Sequence, residues 1–472
     1  MKLRREVSAR STGSNYWLAS LPELSGSLLN SNSTEMATYT ITERLIAVKS
    51  SAVSWLGKVI LAVLDQGLIS GSNFVMGILL ARWLSEEQYG AYALAFSIFL
   101  LLSQFYTSLL LEPMAVFGGS IYRSRLRGYL GTLLWMHLGT ALAIFLVLGT
   151  AASVARALHA TANLPSALAA VTVASPCILL FWLMRRAFYL ELSPSAAVMS
   201  AVFYCVIVMG GLFLLYHRGY LSAFTAFLLM AFGALMTSAF SMVRLKPFFR
   251  LKKLMPSLGE SWGEHWNYGR WSLATAALLW LPSNFYYPVV SASAGMAGAG
   301  ELKALLNLAL PIGHTATALS LLFQPYASRV NHQHGSGTLR KFTGKISLLY
   351  AGGGFAYWFL IVIFRAPIVH FLYGGHYQNL VSLVPWLALA SVLQISLAGP
   401  AIGLRALESP ASVFVAYAAS GAIAVLGGIP LTWAMGVQGV IISMMLSSVV
   451  GFSVALYLLS RKANSLSAAA AQ

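Results

Sequence analysis

Twelve stretches of this chain are apolar for long enough to cross a bilayer, and that leaves little freedom in how it folds. They lie near 59–82, 89–116, 128–154, 165–184, 195–216, 221–243, 269–291, 302–325, 346–364, 381–403, 411–430 and 436–460. A hydrocarbon core of ~30 Å takes about 20 apolar residues of helix. No water reaches that depth, so each segment must pair its own backbone N–H and C=O groups, and runs of this length can do so only as helices. The rest of the composition agrees. Apolar residues make up 58% and charged residues 9%, against roughly 25% charged in soluble domains. The expected fold is an all-α polytopic membrane protein of twelve transmembrane helices. A basic stretch of 25 residues after the sixth run divides it into two six-helix repeats around a central cavity.

Short echoes support the repeat. Arg186-Ala187, followed by Leu192-Ser193-Pro194-Ser195-Ala196, returns as Arg405-Ala406 and Leu407-Glu408-Ser409-Pro410-Ala411. Leu111-Glu112-Pro113-Met114-Ala115 returns as Phe323-Gln324-Pro325-Tyr326-Ala327. The prolines of the two echoes are 216 and 212 residues apart. Two related apolar halves are the usual plan of a membrane transporter, whose site lies between them.

The net charge of +17 raises nucleic-acid binding, but its distribution argues for topology instead. On the twelve-span map, 25 of the 30 Lys and Arg fall on the N-terminal tail and one set of loops. The other set holds only Arg82, Arg156, Arg218, Lys303 and Arg365. Without the tail the balance is still 18 to 5. Such a bias puts both termini in the cytoplasm of a bacterial inner membrane protein, with some attraction to anionic membrane lipids. No nucleic-acid partner is expected.

Residues 1–57 read as a cytoplasmic tail. The first 40 are polar and aperiodic, as disordered segments are, and lack a signal-peptide core. Met36 offers an alternative translation start to Met1. Residues 41–57 suit an interfacial helix on the inner leaflet or a plain linker. The halves then span 58–243 and 269–460, joined by a basic linker at 244–268 and followed by a cytoplasmic tail at 461–472. Cys177 and Cys205 sit in apolar runs as free thiols.

Polar groups at membrane depth are candidates for function. Asp65, the only aspartate, precedes Gln66 and, two turns on, Asn73. The intervening Gly67-Leu68-Ile69-Ser70-Gly71-Ser72 either unwinds beside a cavity or packs tightly on a neighbour. Because 17 residues separate Asp65 from Arg82, a partner for Asp65 is expected on a facing helix. Glu112 either titrates and couples transport to protons or caps the interface. His137 and His314 can relay protons or bond a neighbouring helix. Of the two, His314 stands beside a bend marked by Pro311 and Gly313. Arg82 and Arg270, on repeat-related first and seventh helices, either suit a pyrophosphate through the guanidinium fork or anchor the topology by snorkelling. For Arg185 and Arg186, anchoring by snorkelling is the favoured reading. Asn284, close to Pro282, breaks the seventh run where a cavity wall is expected. Trp271, Trp280, Tyr286 and Tyr287 add rings that stack on sugars or form an interface belt. No phosphate-binding loop, HExxH, GxSxG or Cys/His cluster occurs, so no catalysis, cofactor or metal is expected.

Asp65–Phe74, then Leu80-Ala81-Arg82-Trp83-Leu84-Ser85, then Gln88-Tyr89-Gly90-Ala91-Tyr92 together resemble the polysaccharide-biosynthesis (oligosaccharide flippase) family. That family belongs to the multidrug/oligosaccharidyl-lipid/polysaccharide exporter superfamily. Pro113 and the six-plus-six plan extend the likeness. The resemblance implies transfer of a polyprenyl-pyrophosphate-linked oligosaccharide to the outer leaflet for exopolysaccharide or O-antigen synthesis. It also implies a V-shaped cavity lined by the first, second, seventh and eighth helices, and polymerase and export partners. The seventh run departs from the first, with no counterpart of Asp65 or Arg82. Drug/cation antiporters share the superfamily plan and stand as the alternative. A membrane glycan polymerase is a weaker one, because the expected outer loops are short.

Overall fold

The computed structural model describes residues 57, 60–119, 121–160, 163–191, 193–247, 257–407 and 409–469. Most of the N-terminal tail, its interfacial-helix segment and the centre of the basic linker therefore lie outside the described residues. Among those described, the chain is helical with no strand. The first half comprises α1 (Ile60–Trp83), α2 (Glu86–Gly119), α3 (Leu126–Ala157), α4 (Asn163–Leu190), α5 (Pro194–His217) and α6 (Ala223–Leu245). The second starts with α7 (Leu258–Asn284), which continues as helix through 286–294. Then come α8 (296–334), α9 (336–363), the short α10 (Arg365–Tyr373), α11 (Val384–Ala406), α12 (410–435) and α13 (Val437–Ala469). Gly295 and Gly335 reverse the chain on either side of α8 with φ of 74° and 77° and ψ near 180°, a region open essentially to glycine alone. Ten of the described helices are long and apolar enough to span a membrane. The expected seventh and eighth spans are helical but are not among those ten, and α8 carries Glu301 and Lys303 in its first turns.

Successive helices run in opposite directions. The loops after α2, α4, α6, α8 and α11 therefore share one end, here called the basic end.

The echoes occupy matching places. Pro194 and Pro410 each open a helix, α5 and α12, where a missing N–H costs nothing. The residue before each, Ser193 or Ser409, has nearly the same backbone: φ −112°, ψ 62° and φ −115°, ψ 66°. Pro113 and Pro325 both lie inside helices, in α2 and α8, rather than at span ends.

α7 starts eleven residues before the apolar run it was expected to match. The reason is local. Ser257 and Glu260 form a reciprocal cap: Glu260 Oε2 accepts from the Ser257 backbone N–H at 3.1 Å and the Ser257 hydroxyl at 2.8 Å. The Glu260 N–H in turn donates to Ser257 Oγ at 3.4 Å. This Ser-x-x-Glu cap starts a helix without apolar periodicity.

The two halves meet tightly at the end opposite the basic one. Gly90 of α2 lies against α8 so closely that a Cβ there would fall 1.6 Å from the Met296 carbonyl oxygen. A Cβ on Gly300 would meet the Glu86 carbonyl at 2.6 Å. Around this crossing Asn307 Nδ2 donates to the Tyr89 hydroxyl at 2.8 Å, and Tyr373 donates to the Ala304 carbonyl at 2.7 Å. Lys303 lies 5.7 Å from the Phe96 ring centre. Small residues let backbones touch where no hydrophobic force separates helix from lipid.

Candidate functional site

The Asp65 carboxylate is fully buried on α1. Arg185 of α4 reaches it with Nε at 2.8 Å from Oδ1 and 3.0 Å from Oδ2, and with Nη2 at 2.7 Å from Oδ2. Tyr189, one turn further along α4, donates its hydroxyl to Oδ2. Residues four apart share a helix face, so a single face of α4 supplies both donors. Gln66 takes Arg185 Nη2 through its Oε1 at 3.2 Å and donates Nε2 to Ser70 at 3.1 Å. Two ions leave water together here, which is tolerable only when nearly every lone pair is matched.

This network forms the wall of a cavity of about 750 Å³ between α1, α2, α4 and α8. Gln66, Ser70 and Asn73 line it from α1, Thr107 and Leu111 from α2, and His314 from α8. α4 contributes Trp182, Arg185, Arg186 and Tyr189. The α2 and α4 residues, with Gln66 and Ser70, lie in the basic-end half of their helices, and Asn73 and His314 lie at mid-helix, while the Gly90–Gly300 crossing lies at the opposite end. Glu112 lies near enough to Arg186 to attract its charge.

Of the residues singled out in the sequence, Gln66, Asn73 and His314 therefore share one cavity, with Asp65 in its wall. The others lie elsewhere. Arg82 stands at the opposite end, donating Nη1 to the Phe371 carbonyl at 3.2 Å. Arg270 falls within α7 rather than at its start, and Asn284 ends that helix. Neither lines the cavity. His137 is buried in α3 with Nδ1 2.9 Å from the Tyr106 hydroxyl. Arg185 and Arg186 were read as anchors because the apolar run stops at 184. α4 in fact continues to Leu190, which holds both within the helix. The signal available was the Arg186-Ala187 echo of Arg405-Ala406.

The α2 wall of the cavity is bent. Thr107–Leu111 is a π-helical turn, and the Glu112 N–H bonds back to Thr107. Pro113 follows with no N–H to give, so the Leu109 carbonyl four residues earlier has no helical donor. His265 of α7 supplies one, with Nδ1 2.8 Å from Leu109 O. A carbonyl only accepts, so Nδ1 carries the proton and Nε2 accepts from the Tyr129 hydroxyl at 2.8 Å. Burial lowers His265 below the ordinary histidine range, opposed by the Leu109 bond and Glu264. Beside it Tyr122 donates to Glu264 Oε2 at 2.7 Å. Burial and then this carboxylate push the Tyr122 phenol up to about 12.

No family model and no curated protein matches the chain. Solved structures do. An inward-facing multidrug resistance MATE family transporter of the MOP superfamily superposes with a TM-score of 0.71 at 15% identity, covering 85% of this chain and 98% of that one. An outward-facing MATE family structure gives 0.60 at 14% identity, over 86% and 94%. A MOP superfamily transporter from Pyrococcus furiosus, described as having a binding pocket of reverse polarity, gives 0.57 at 15% identity, over 85% and 94%. The chain has the MATE transporter fold. At these identities the likeness concerns architecture: two helical repeats around a cavity, as the sequence predicted.

Proposed function

We propose that this protein is a multi-pass inner-membrane transporter that flips a lipid-linked oligosaccharide by alternating access. The observation that carries the reading is the cavity at the basic end, with Arg185 and Arg186 side by side on α4. A pyrophosphate must shed water to cross the membrane, and paired guanidinium groups offset that cost through charge-assisted hydrogen bonds. Within the protein the Arg185 charge is balanced by Asp65, so an entering phosphate competes with a carboxylate for the same fork. That exchange ties substrate capture to the α1–α4 contact. Trp182 and Tyr189 offer ring faces to sugars, and Asn73 and Gln66 offer amides. The resemblance of the Asp65–Tyr92 segment to oligosaccharide flippases supports the same substrate class.

The test is a strain lacking the protein, complemented with Arg185→Ala or Arg186→Ala at matched membrane levels. The expected result is accumulation of lipid-linked intermediate on the inner leaflet and loss of polymer. Normal polymer output from both variants would remove the anionic substrate from this site.

A second reading has one observation in its favour. Asp65 is a buried acid on α1, and the superposed MATE structures are of multidrug transporters. On that reading Asp65 holds a coupling cation and the cavity takes an organic cation. Asp65-dependent efflux of a lipophilic cation from proteoliposomes, with no effect of Arg186→Ala, would favour it.

A further inference from the structure

Away from the cavity, toward the end opposite the basic one, lies a groove of about 470 Å³ between α1, α8, α9 and α10. Phe74, Leu308, Ile361, Ile368, Phe371 and Leu372 line it. Its one polar side chain, Tyr357, turns its hydroxyl onto the Leu308 carbonyl at 2.7 Å, which leaves the walls apolar. Phe371 is 75% exposed at its edge. In water such a surface would be costly, but in a membrane it faces hydrocarbon chains.

A cation is fixed at the mouth of this groove. The Phe371 ring lines the groove while the Phe371 carbonyl accepts from Arg82 Nη1. Gly374, in the left-handed region at φ 63°, ends α10 and lies so close to Arg82 that a Cβ there would be 3.2 Å from Nε. Among the described residues Arg82 makes no ion pair and no second hydrogen bond, so Nε and Nη2 retain their donors. Arg365 and His370 of α10 add basic groups nearby in sequence.

Depth gives the arrangement its meaning. The neighbouring Trp83 stacks on Tyr216 with ring centres 4.2 Å apart, and such aromatic rings sit at the membrane–water interface. Arg82 is therefore at headgroup level. Phe74 lies eight residues earlier on the same helix, ~12 Å deeper at 1.5 Å per residue. A guanidinium at the interface above an apolar slot in the hydrocarbon matches the outline of a phospholipid, with its phosphate on Arg82 and one acyl chain in the groove.

We propose that this groove is a binding site for an anionic glycerophospholipid of the bilayer, separate from the transport cavity. The site bridges the halves, since α1 belongs to the first and α8, α9 and α10 to the second. A lipid seated there braces the closed end. The proposal does not depend on which substrate the cavity carries.

The experiment is native mass spectrometry of the full chain in detergent, titrated with phosphatidylglycerol, with diacylglycerol of the same chains, and with inorganic phosphate. The variants are Arg82→Gln, which removes the cation, and Ile361→Trp, which fills the slot. Thermal unfolding without lipid checks each fold, and Ile368→Trp replaces Ile361→Trp if that variant is destabilised. One phosphatidylglycerol should bind more tightly than the rest, and each variant should weaken it about tenfold, the scale of a hydrogen bond to a charged group. Diacylglycerol should be insensitive to Arg82→Gln, and inorganic phosphate should not displace the lipid. Equal phosphatidylglycerol binding by the wild type and either variant overturns the proposal. Displacement by inorganic phosphate overturns it as well, since that outcome describes an anion site with no role for the chain.

Discussion

Four contacts converge on the two oxygens of buried Asp65, three from Arg185 and one from Tyr189. Removing the acid alone strands a guanidinium that is only 15% exposed. Asp65→Asn should therefore lower stability by about 3 kcal/mol, read as a fall in the thermal midpoint in detergent. Asp65→Asn with Arg185→Gln should recover part of that loss, because the double variant leaves no unpaired charge. Additive losses would mean that the two residues do not act as a pair. Asp65 was legible in the sequence as a lone aspartate in an apolar run, and a partner on a facing helix followed from its spacing to Arg82. The identity of that partner was not. Hydropathy ends a span at the first charge, so it cannot tell an arginine that snorkels from one that turns inward to an acid.

At the scale of helices, two of the contacts between the first half and the second each have their own sensitivity. The Gly90–Gly300 crossing brings backbone against backbone, so Gly90→Ala must push α2 and α8 apart. Overpacking of this kind costs about 1–3 kcal/mol. Gly119→Ala, where no atom lies within 4 Å of the added carbon, should cost far less in the same unfolding assay. The other contact depends on pH. The folded protein favours neutral His265, whose pKa is lowered mainly by burial. Its contribution is complete above the unfolded value of about 6.5. It is lost as pH falls below that value toward the folded one, because the unfolded chain then binds the extra proton. Between pH 7.5 and 5.5 the wild type should lose more thermal stability than His265→Gln, and equal losses would exclude His265 as the titrating group. Nothing in the apolar pattern pointed to this contact. The Ser257-Leu258-Gly259-Glu260 cap was readable, but a helix start in a basic linker carries no weight until the partner surface is known. The π-helical turn before Pro113 is likewise a product of tertiary contact.

For the molecule as a whole, the all-helical plan and the two-repeat architecture came through from sequence because lipid enforces them, with ten of the described helices long and apolar enough to span. Apolar length sets each helix, and Pro194 and Pro410 open their helices after serines of nearly the same backbone conformation. The map makes a direct prediction. Reporter fusions at Ser293 and His376 should lie on one side of the membrane and a fusion near Gly335 on the other, with the charge bias placing Gly335 in the cytoplasm. Agreement between Ser293 and Gly335 would break the alternation of α7 and α8. The cavity was less legible, since it depends on which faces of α1, α2, α4 and α8 converge.

The midpoint of the gene is nevertheless not the joint of the machine. Pro113 strips Leu109 of its helical donor and His265 replaces it, which fastens the first turns of α7 to α2. Beyond Asn284 the same helix is fastened to α13, where the Tyr286 hydroxyl lies 2.9 Å from that of Ser443. α7 is thus a crank linked to both halves, and a crank that turns would bend after Asn284, where the helix is interrupted before Tyr286. Spin labels at Ile121 and Trp262 should then keep one separation in every state, whereas labels at Trp262 and Tyr326 should report two. A fixed Trp262–Tyr326 separation would mean that the crank does not turn. If it does turn, a proline that takes away one backbone donor has decided where the molecule flexes.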